Sequence, residues 1–103
     1  MLALAIDLHL PDCRSLKEKR ATLRPVIEGI RNRYPVAAAE TDHQDRWQRA
    51  EIGVAAVSSS ARVVREVVDE VERFVWSFPE VEVLETRRFW ADDDSTATSE
   101  MEG

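Results

Sequence analysis

Residues 2–10 read Leu-Ala-Leu-Ala-Ile-Asp-Leu-His-Leu, so every second residue is a large aliphatic one. This period of two is the pattern of a β-strand with one buried face. Pro11 and Asp12 end the run. The chain therefore opens on a half-buried strand whose leucine-bearing face other elements must cover.

Two segments with helical spacing lie further along the chain. Ser15-Leu16-Lys17-Glu18 is a capping box, in which the serine and glutamate side chains satisfy backbone N–H groups at a helix start. Apolar residues then recur at helical spacing, which predicts a helix over 16–33 that Pro25 bends without breaking. The serines at 58–60 and the apolar stripe from Val64 to Phe78 predict a second amphipathic helix.

Three further segments are predicted to be strands. Residues 36–41 and 52–57 flank a polar segment and predict a hairpin whose arms extend into it, with Gly53 marking a bulge or a close approach. Residues 81–90 alternate only roughly and predict the last strand. The order predicts an α+β fold, a ferredoxin-like βαββαβ sandwich. Its four-stranded antiparallel sheet has two helices on one face and the first and third strands in the centre.

The length of 103 residues fits one domain, which we assign to residues 1–90. Residues 91–103 are acidic and poor in large apolar side chains, a composition typical of a disordered tail. The first apolar run is too short for a signal peptide or a membrane span. We therefore expect a cytoplasmic protein with no membrane partner.

Charge is segregated within a net charge of −6. Residues 14–33 carry seven Lys and Arg against two acids, whereas residues 61–103 carry five Arg against twelve acids. The net acidity argues against general nucleic-acid binding and against DNA. The basic helix favours a phosphate or RNA contact, helped by the helix N-terminus, and the alternative is a solvated helix face. The candidate residues are Arg14, Lys17, Arg20 and Arg24.

The polar hairpin carries a second candidate surface, formed by Arg46, Trp47 and Arg49. A tryptophan between arginines can stack on a base or anchor a protein partner. The alternative is that Trp47 folds down on the sheet. The neighbouring strand is predicted to be an edge, which could pair with a second copy and form a homodimer.

His43 lies between two acids in the hairpin, Asp42 and Asp45. A metal site needs three or more converging ligands, and adjacent strand residues point to opposite faces. Asp7 and His9, on the outer face of the first strand, can approach the hairpin across the sheet. We read these residues as a polar network, with a metal or acid–base site as the alternative.

Cys13 is the single cysteine, so no disulfide can form within the chain. It precedes a helix, where a thiol can become reactive, but no candidate base lies near it in sequence. The sequence also lacks a glycine-rich phosphate loop, a G-x-S-x-G motif and paired cysteines. We therefore predict no catalytic residue, no cofactor and no metal.

The stretches SLKEKR (15–20) and AETDHQDRWQRA (39–50) resemble the YlxP-like family of small bacterial proteins. The first strand with His9 and the stretch GVAAVS (53–58) fit the same pattern, so the resemblance covers residues 1–90. It implies a ferredoxin-like fold and no assigned activity. Members of this family are often encoded among genes for translation initiation and ribosome maturation, so the resemblance also implies an association with translation. We therefore expect a non-enzymatic protein that contacts the ribosome, RNA or a translation-related protein. The alternative is a homodimeric protein-interaction or regulatory module without nucleic-acid contact.

Overall fold

The computed structural model describes residues 1–91, and it has the predicted order of strands and helices. The elements are β1 (Leu2–His9), α1 (Leu16–Arg33), β2 (Val36–Asp42), β3 (Arg49–Ala56), α2 (Ala61–Trp76) and β4 (Glu82–Trp90). The strand pairings are antiparallel and the sheet order is β2-β3-β1-β4. The central position of β1 and β3 is confirmed, as is the ferredoxin-like α+β fold. Residues 92–103, which form most of the predicted tail, lie outside the described residues.

The core lies between the sheet and the two helices. In β1 the residues from Leu2 to Leu8 at even positions are at most 1% exposed, and the alternate residues are half-buried on the opposite side. The helices bury an apolar stripe against the even positions, and burying one such aliphatic side chain contributes about 1.5–3 kcal/mol. The helix residues in the core are Leu23, Val26 and Ile30 from α1 and Val64, Val68, Val71 and Val75 from α2. We call the other side of the sheet the open face.

The capping box at the start of α1 is present, with one difference from the expected pattern. Ser15 Oγ accepts from the Glu18 N–H at 3.1 Å, as predicted. The Glu18 carboxylate accepts from the N–H of Arg14 at 2.7 Å, one residue before the serine. The helix then runs unbroken through Pro25 to Arg33, as the continuing apolar stripe predicted.

Both edge strands contain an irregularity. Thr41 is the extra residue where β2 pairs with β3, since Glu40 pairs with Ile52 and Asp42 with Glu51. Leu84 is the extra residue where β4 pairs with β1, which explains why residues 81–90 alternate only roughly. A Cβ at Gly53 would lie 2.5 Å from Thr41 Cγ2, so the predicted close approach is made by a side chain.

Candidate functional site: the basic face and the hairpin

The four predicted phosphate-binding residues are all exposed, and three of them share one side of α1. Lys17, Arg20 and Arg24 border a shallow depression of about 440 Å³ together with Ala21 and Pro25. Among residues 1–91, none of the four forms an ion pair. We call this set the basic face: Arg14, Lys17, Arg20 and Arg24.

Four arginines elsewhere in the fold pair with acids, whereas five others form no ion pair within residues 1–91: Arg31, Arg33, Arg46, Arg65 and Arg73. Arg49 pairs with Asp7, Arg62 with Glu66, and Arg87 with Glu51. Arg88 of β4 binds two acids of α2, Asp69 at 2.7 Å and Glu72 at 3.0 Å. The basic face places four exposed cations within residues 14–24, which makes it a local concentration of positive charge on an acidic protein. This is the electrostatic pattern of an anion-binding surface.

The cap of α1 changes how the basic face can meet an anion. The N–H groups of Arg14 and Glu18 already donate to side chains of the cap. One of the N–H groups of the first helical turn, that of Glu18, is thus already used by the cap. An anion is therefore expected to gain less from the helix N-terminus and more from the guanidinium and ammonium groups of the side chains, which is a longer-range and more salt-sensitive contact.

Lys19 lies on the buried side of the same helix and is 1% exposed. Its Nζ atom lies 2.6 Å from Glu40 Oε2, and it donates to the backbone carbonyl of His43 at 2.5 Å. Glu40 Oε2 is itself buried and has no partner with hydrogen-bond geometry among the described residues, so its attraction to Lys19 is Coulombic. These contacts fasten the first turns of α1 to the end of β2.

Sequence reasoning did not identify Lys19, although the sequence contains a signal for it. Lys19 falls three residues after Leu16 and four before Leu23, on the apolar stripe of the helix. Glu40 lies on the helix-facing side of β2, as Val36 and Ala38 do, because alternate residues of a strand point to the same face. Two opposite charges at core-facing positions of adjacent elements predict a buried ion pair.

His43 occupies a left-handed backbone conformation, with φ at 63°. Its Nε2 atom lies 3.7 Å from Asp7 Oδ1, and the other oxygen of Asp7 accepts from Arg49 Nη2 at 2.7 Å. The predicted approach of Asp7 to the hairpin is therefore confirmed. His9 instead pairs with Glu82 at 2.7 Å, so the two histidines belong to different clusters.

The three residues of the predicted partner surface are separated into two groups. Trp47 is 54% exposed and Arg46 is exposed beside it, in the turn closed by the Arg46 N–H and the His43 carbonyl. Arg49 is half-buried and held by Asp7 on the open face. The hairpin thus presents Arg46 and Trp47 as an exposed pair, while Arg49 belongs to the sheet.

Cys13 is 4% exposed and part of the core, with its Sγ atom 3.6 Å from Thr22 Oγ1. This burial favours a packing role for the thiol. Within residues 1–91, no three side chains of the metal-binding types form a group that could hold an ion. No helix in that part of the chain has the length and apolar character to cross a membrane.

Comparison with known proteins shows which family the chain belongs to. The chain matches the family DUF503, described as a protein of unknown function, over residues 1–88. It is 43% identical over 79 residues to the uncharacterized protein YlxP of Bacillus subtilis (strain 168). That alignment covers 77% of this chain and 86% of the relative. The chain therefore belongs to the DUF503 family of YlxP-like proteins.

Proposed function

We propose that this protein is a non-enzymatic, cytoplasmic binding protein that contacts RNA phosphates through its basic face, in association with the ribosome. The observation that carries the proposal is the density of exposed cations on the basic face, where four lie within residues 14–24. Four exposed cations lack an acidic partner among residues 1–91, although the protein as a whole has a net charge of −6. The association with translation is the one that the family resemblance implied.

The size of the basic face indicates what kind of RNA contact it supports. Lys17 and Arg24 lie seven residues apart, which corresponds to about 10 Å along the helix. A surface of this length neutralises a few phosphates, so binding is expected to be weak and strongly salt-dependent. The exposed pair Arg46 and Trp47 offers a second contact, through stacking on an unpaired base or a protein side chain.

Pull-down from native lysate, with and without ribonuclease, tests this proposal. The tagged wild type is compared with the Lys17→Glu/Arg20→Glu variant. A matched control, Arg62→Glu/Arg65→Glu, makes the same charge change on exposed positions of α2. We expect ribosomal components in the wild-type and control samples, sensitive to ribonuclease and lost in the Lys17/Arg20 variant. Equal recovery by all three proteins would contradict the assignment to the basic face.

The second candidate is a protein-interaction module without nucleic-acid contact. The exposed Trp47 and the net acidity favour it, since tryptophan and arginine are common anchors of protein interfaces. Ribonuclease-resistant recovery of one protein, lost on Trp47→Ala and retained in Lys17→Glu/Arg20→Glu, would select this candidate.

A further inference from the structure

We propose that the open face of the sheet is the interface for a second copy of this chain. The face contains an apolar trough of about 460 Å³. A sheet covered by helices on one side only is expected to present polar side chains to water on the other. Here small side chains form the floor instead, contributed by Ala3, Ala5, Ala37, Ala39, Gly53 and Ala55.

The register of the sheet places a projecting aromatic residue in the same row as this floor. Ala37 pairs with Ala55, Ala55 with Ala3, and Ala3 with Phe89, so one row crosses all four strands. Phe89 is 51% exposed and borders the trough. The open face therefore has a large side chain on the β4 edge and a hollow on the β2 edge.

This arrangement is self-complementary. A two-fold axis between two stacked sheets, parallel to their strands, brings β4 of one copy over β2 of the other. Each Phe89 then lies over the partner copy's Ala37, and both hollows are filled by the same contact. An interface around a two-fold axis requires this combination of projection and hollow on one surface, and sheets stacked face to face lie about 10 Å apart.

The charges of the open face favour a second copy over a nucleic acid. Two carboxylates of the open face are neutralised within it: Asp7 by Arg49 at 2.7 Å, and Glu51, which borders the trough, by Arg87 at 2.6 Å. The face thus has no excess cation for a phosphate.

The edges of the sheet are poorer places for a second copy than its open face. Thr41 and Leu84 interrupt the pairing pattern of β2 and β4, and bulges of this kind discourage edge-to-edge association. On β2, the backbone carbonyl of Ala38 already accepts from Arg31 Nε at 2.8 Å. The bulges and the occupied carbonyl therefore disfavour the edge-paired dimer that the sequence predicted.

This inference goes beyond the proposed phosphate contact and stands on different residues. The helices cover the other side of the sheet, so stacking two open faces leaves both basic faces on the outside of the dimer. Substitutions at Lys17 and Arg20 should therefore leave dimerisation unchanged. Failure of one proposal can be distinguished from failure of the other.

Sedimentation equilibrium of the full chain over a range of concentrations tests the interface. We expect a dimer at low and at high salt, weakened by about tenfold or more in Ala37→Glu and in Phe89→Ala. Ala37 is exposed on an edge strand, and circular dichroism checks that the variant is folded. Val63→Glu on α2, where the residue is 41% exposed, is the matched control and should dimerise as the wild type does.

Crosslinking tests the geometry by a second route. Stacked sheets place residue 37 of one copy about 10 Å from residue 89 of the other, which is beyond the reach of a direct disulfide but within that of a short thiol-to-thiol crosslinker. The Ala37→Cys/Phe89→Cys variant should therefore give covalent dimers with such a reagent, and a Val63→Cys/Phe89→Cys variant should not. A monomer at all concentrations, an Ala37→Glu protein that dimerises like the wild type, or capture of a different protein on this face would overturn the proposal.

Discussion

The Nζ atom of Lys19 lies 2.6 Å from Glu40 Oε2 in the interior of the protein, while neighbouring cations of the same helix are exposed. Lys19 also donates to the carbonyl of His43, the residue with a positive φ at the start of the hairpin turn. One lysine thus joins the helix that carries the basic face to the hairpin that carries Trp47. This contact fixes the relative position of the two candidate surfaces.

Replacing Lys19 by methionine should destabilise the protein by about 2–3 kcal/mol. The change keeps the aliphatic stem but leaves the Glu40 carboxylate and the His43 carbonyl without their cation. The expected cost lies below that of breaking a fully buried pair because the Glu40 side chain remains 21% exposed. Urea denaturation measures the free energy of unfolding.

The double variant Lys19→Met/Glu40→Gln is the control for this prediction. Removing the second charge relieves the unpaired carboxylate, so the double variant should recover at least about 1 kcal/mol relative to Lys19→Met. A Lys19→Met protein within about 0.5 kcal/mol of the wild type would show that the ion pair does not hold the hairpin.

Gly29 in α1 should resist substitution although alanine is the better helix former. A Cβ there would lie 2.5 Å from Phe74 Cζ, and that ring packs edge-on against Tyr34 and Phe78. The gain in helix propensity is about 1 kcal/mol, and displacing a packed ring costs about 1–3 kcal/mol. We expect Gly29→Ala to be destabilising in thermal melts, and neutral or stabilising in a Phe74→Leu background. Stabilisation by Gly29→Ala alone would contradict the packing.

Arg88→Met should lower the free energy of unfolding by about 1 kcal/mol, because it removes the ion pairs with Asp69 and Glu72. Arg88→Lys should lie between this variant and the wild type in stability, because lysine cannot bridge the two acids as arginine does. Burial lowers the pKa of Arg88, but hydrogen bonds and charge from Asp69 and Glu72 outweigh it and leave the pKa raised. Because the pKa of Arg88 is higher in the folded protein than in the unfolded chain, its ion pairs contribute their full stability at any pH below the unfolded-state pKa. This contribution is lost only as the pH rises through the folded-state pKa, which lies far above neutrality.

The stability difference between Arg88→Met and the wild type should therefore be the same at about pH 6 and about pH 9. Denaturation at the two pH values measures it. If the stability difference between the two proteins disappeared at the higher pH, the charge of Arg88 would not be what stabilises this contact.

Trp47→Ala should leave the free energy of unfolding within about 0.5 kcal/mol of the wild type, because the side chain is half exposed at a turn. The same substitution should reduce recovery of the bound partner in the pull-down. A loss of more than about 1 kcal/mol in denaturant would instead place Trp47 in the packing of the hairpin.

The sequence was informative where side-chain periodicity is tied to burial. The alternation in β1 and the stripes of both helices predicted the elements and their order because each pattern matches only one way of burying its apolar side chains. The bulge at Leu84 was not predicted, since it depends on how β4 pairs with β1. Arg49 looked like a neighbour of Trp47 in the sequence, but the side chain lies on the open face, where Asp7 from a distant strand binds it.

The function proposed for the basic face is the binding of RNA phosphates. The most direct test is the salt dependence of binding to a fluorescently labelled RNA hairpin, measured by anisotropy for the wild type and for Lys17→Gln/Arg20→Gln. Arg62→Gln/Arg73→Gln on α2 is the control with equal charge change. If Lys17 and Arg20 contact phosphates, the variant should bind more weakly. The negative slope of log affinity against log salt concentration should also become shallower, by about 1.4–1.8. The control should match the wild type. An unchanged slope in Lys17→Gln/Arg20→Gln would contradict the claim.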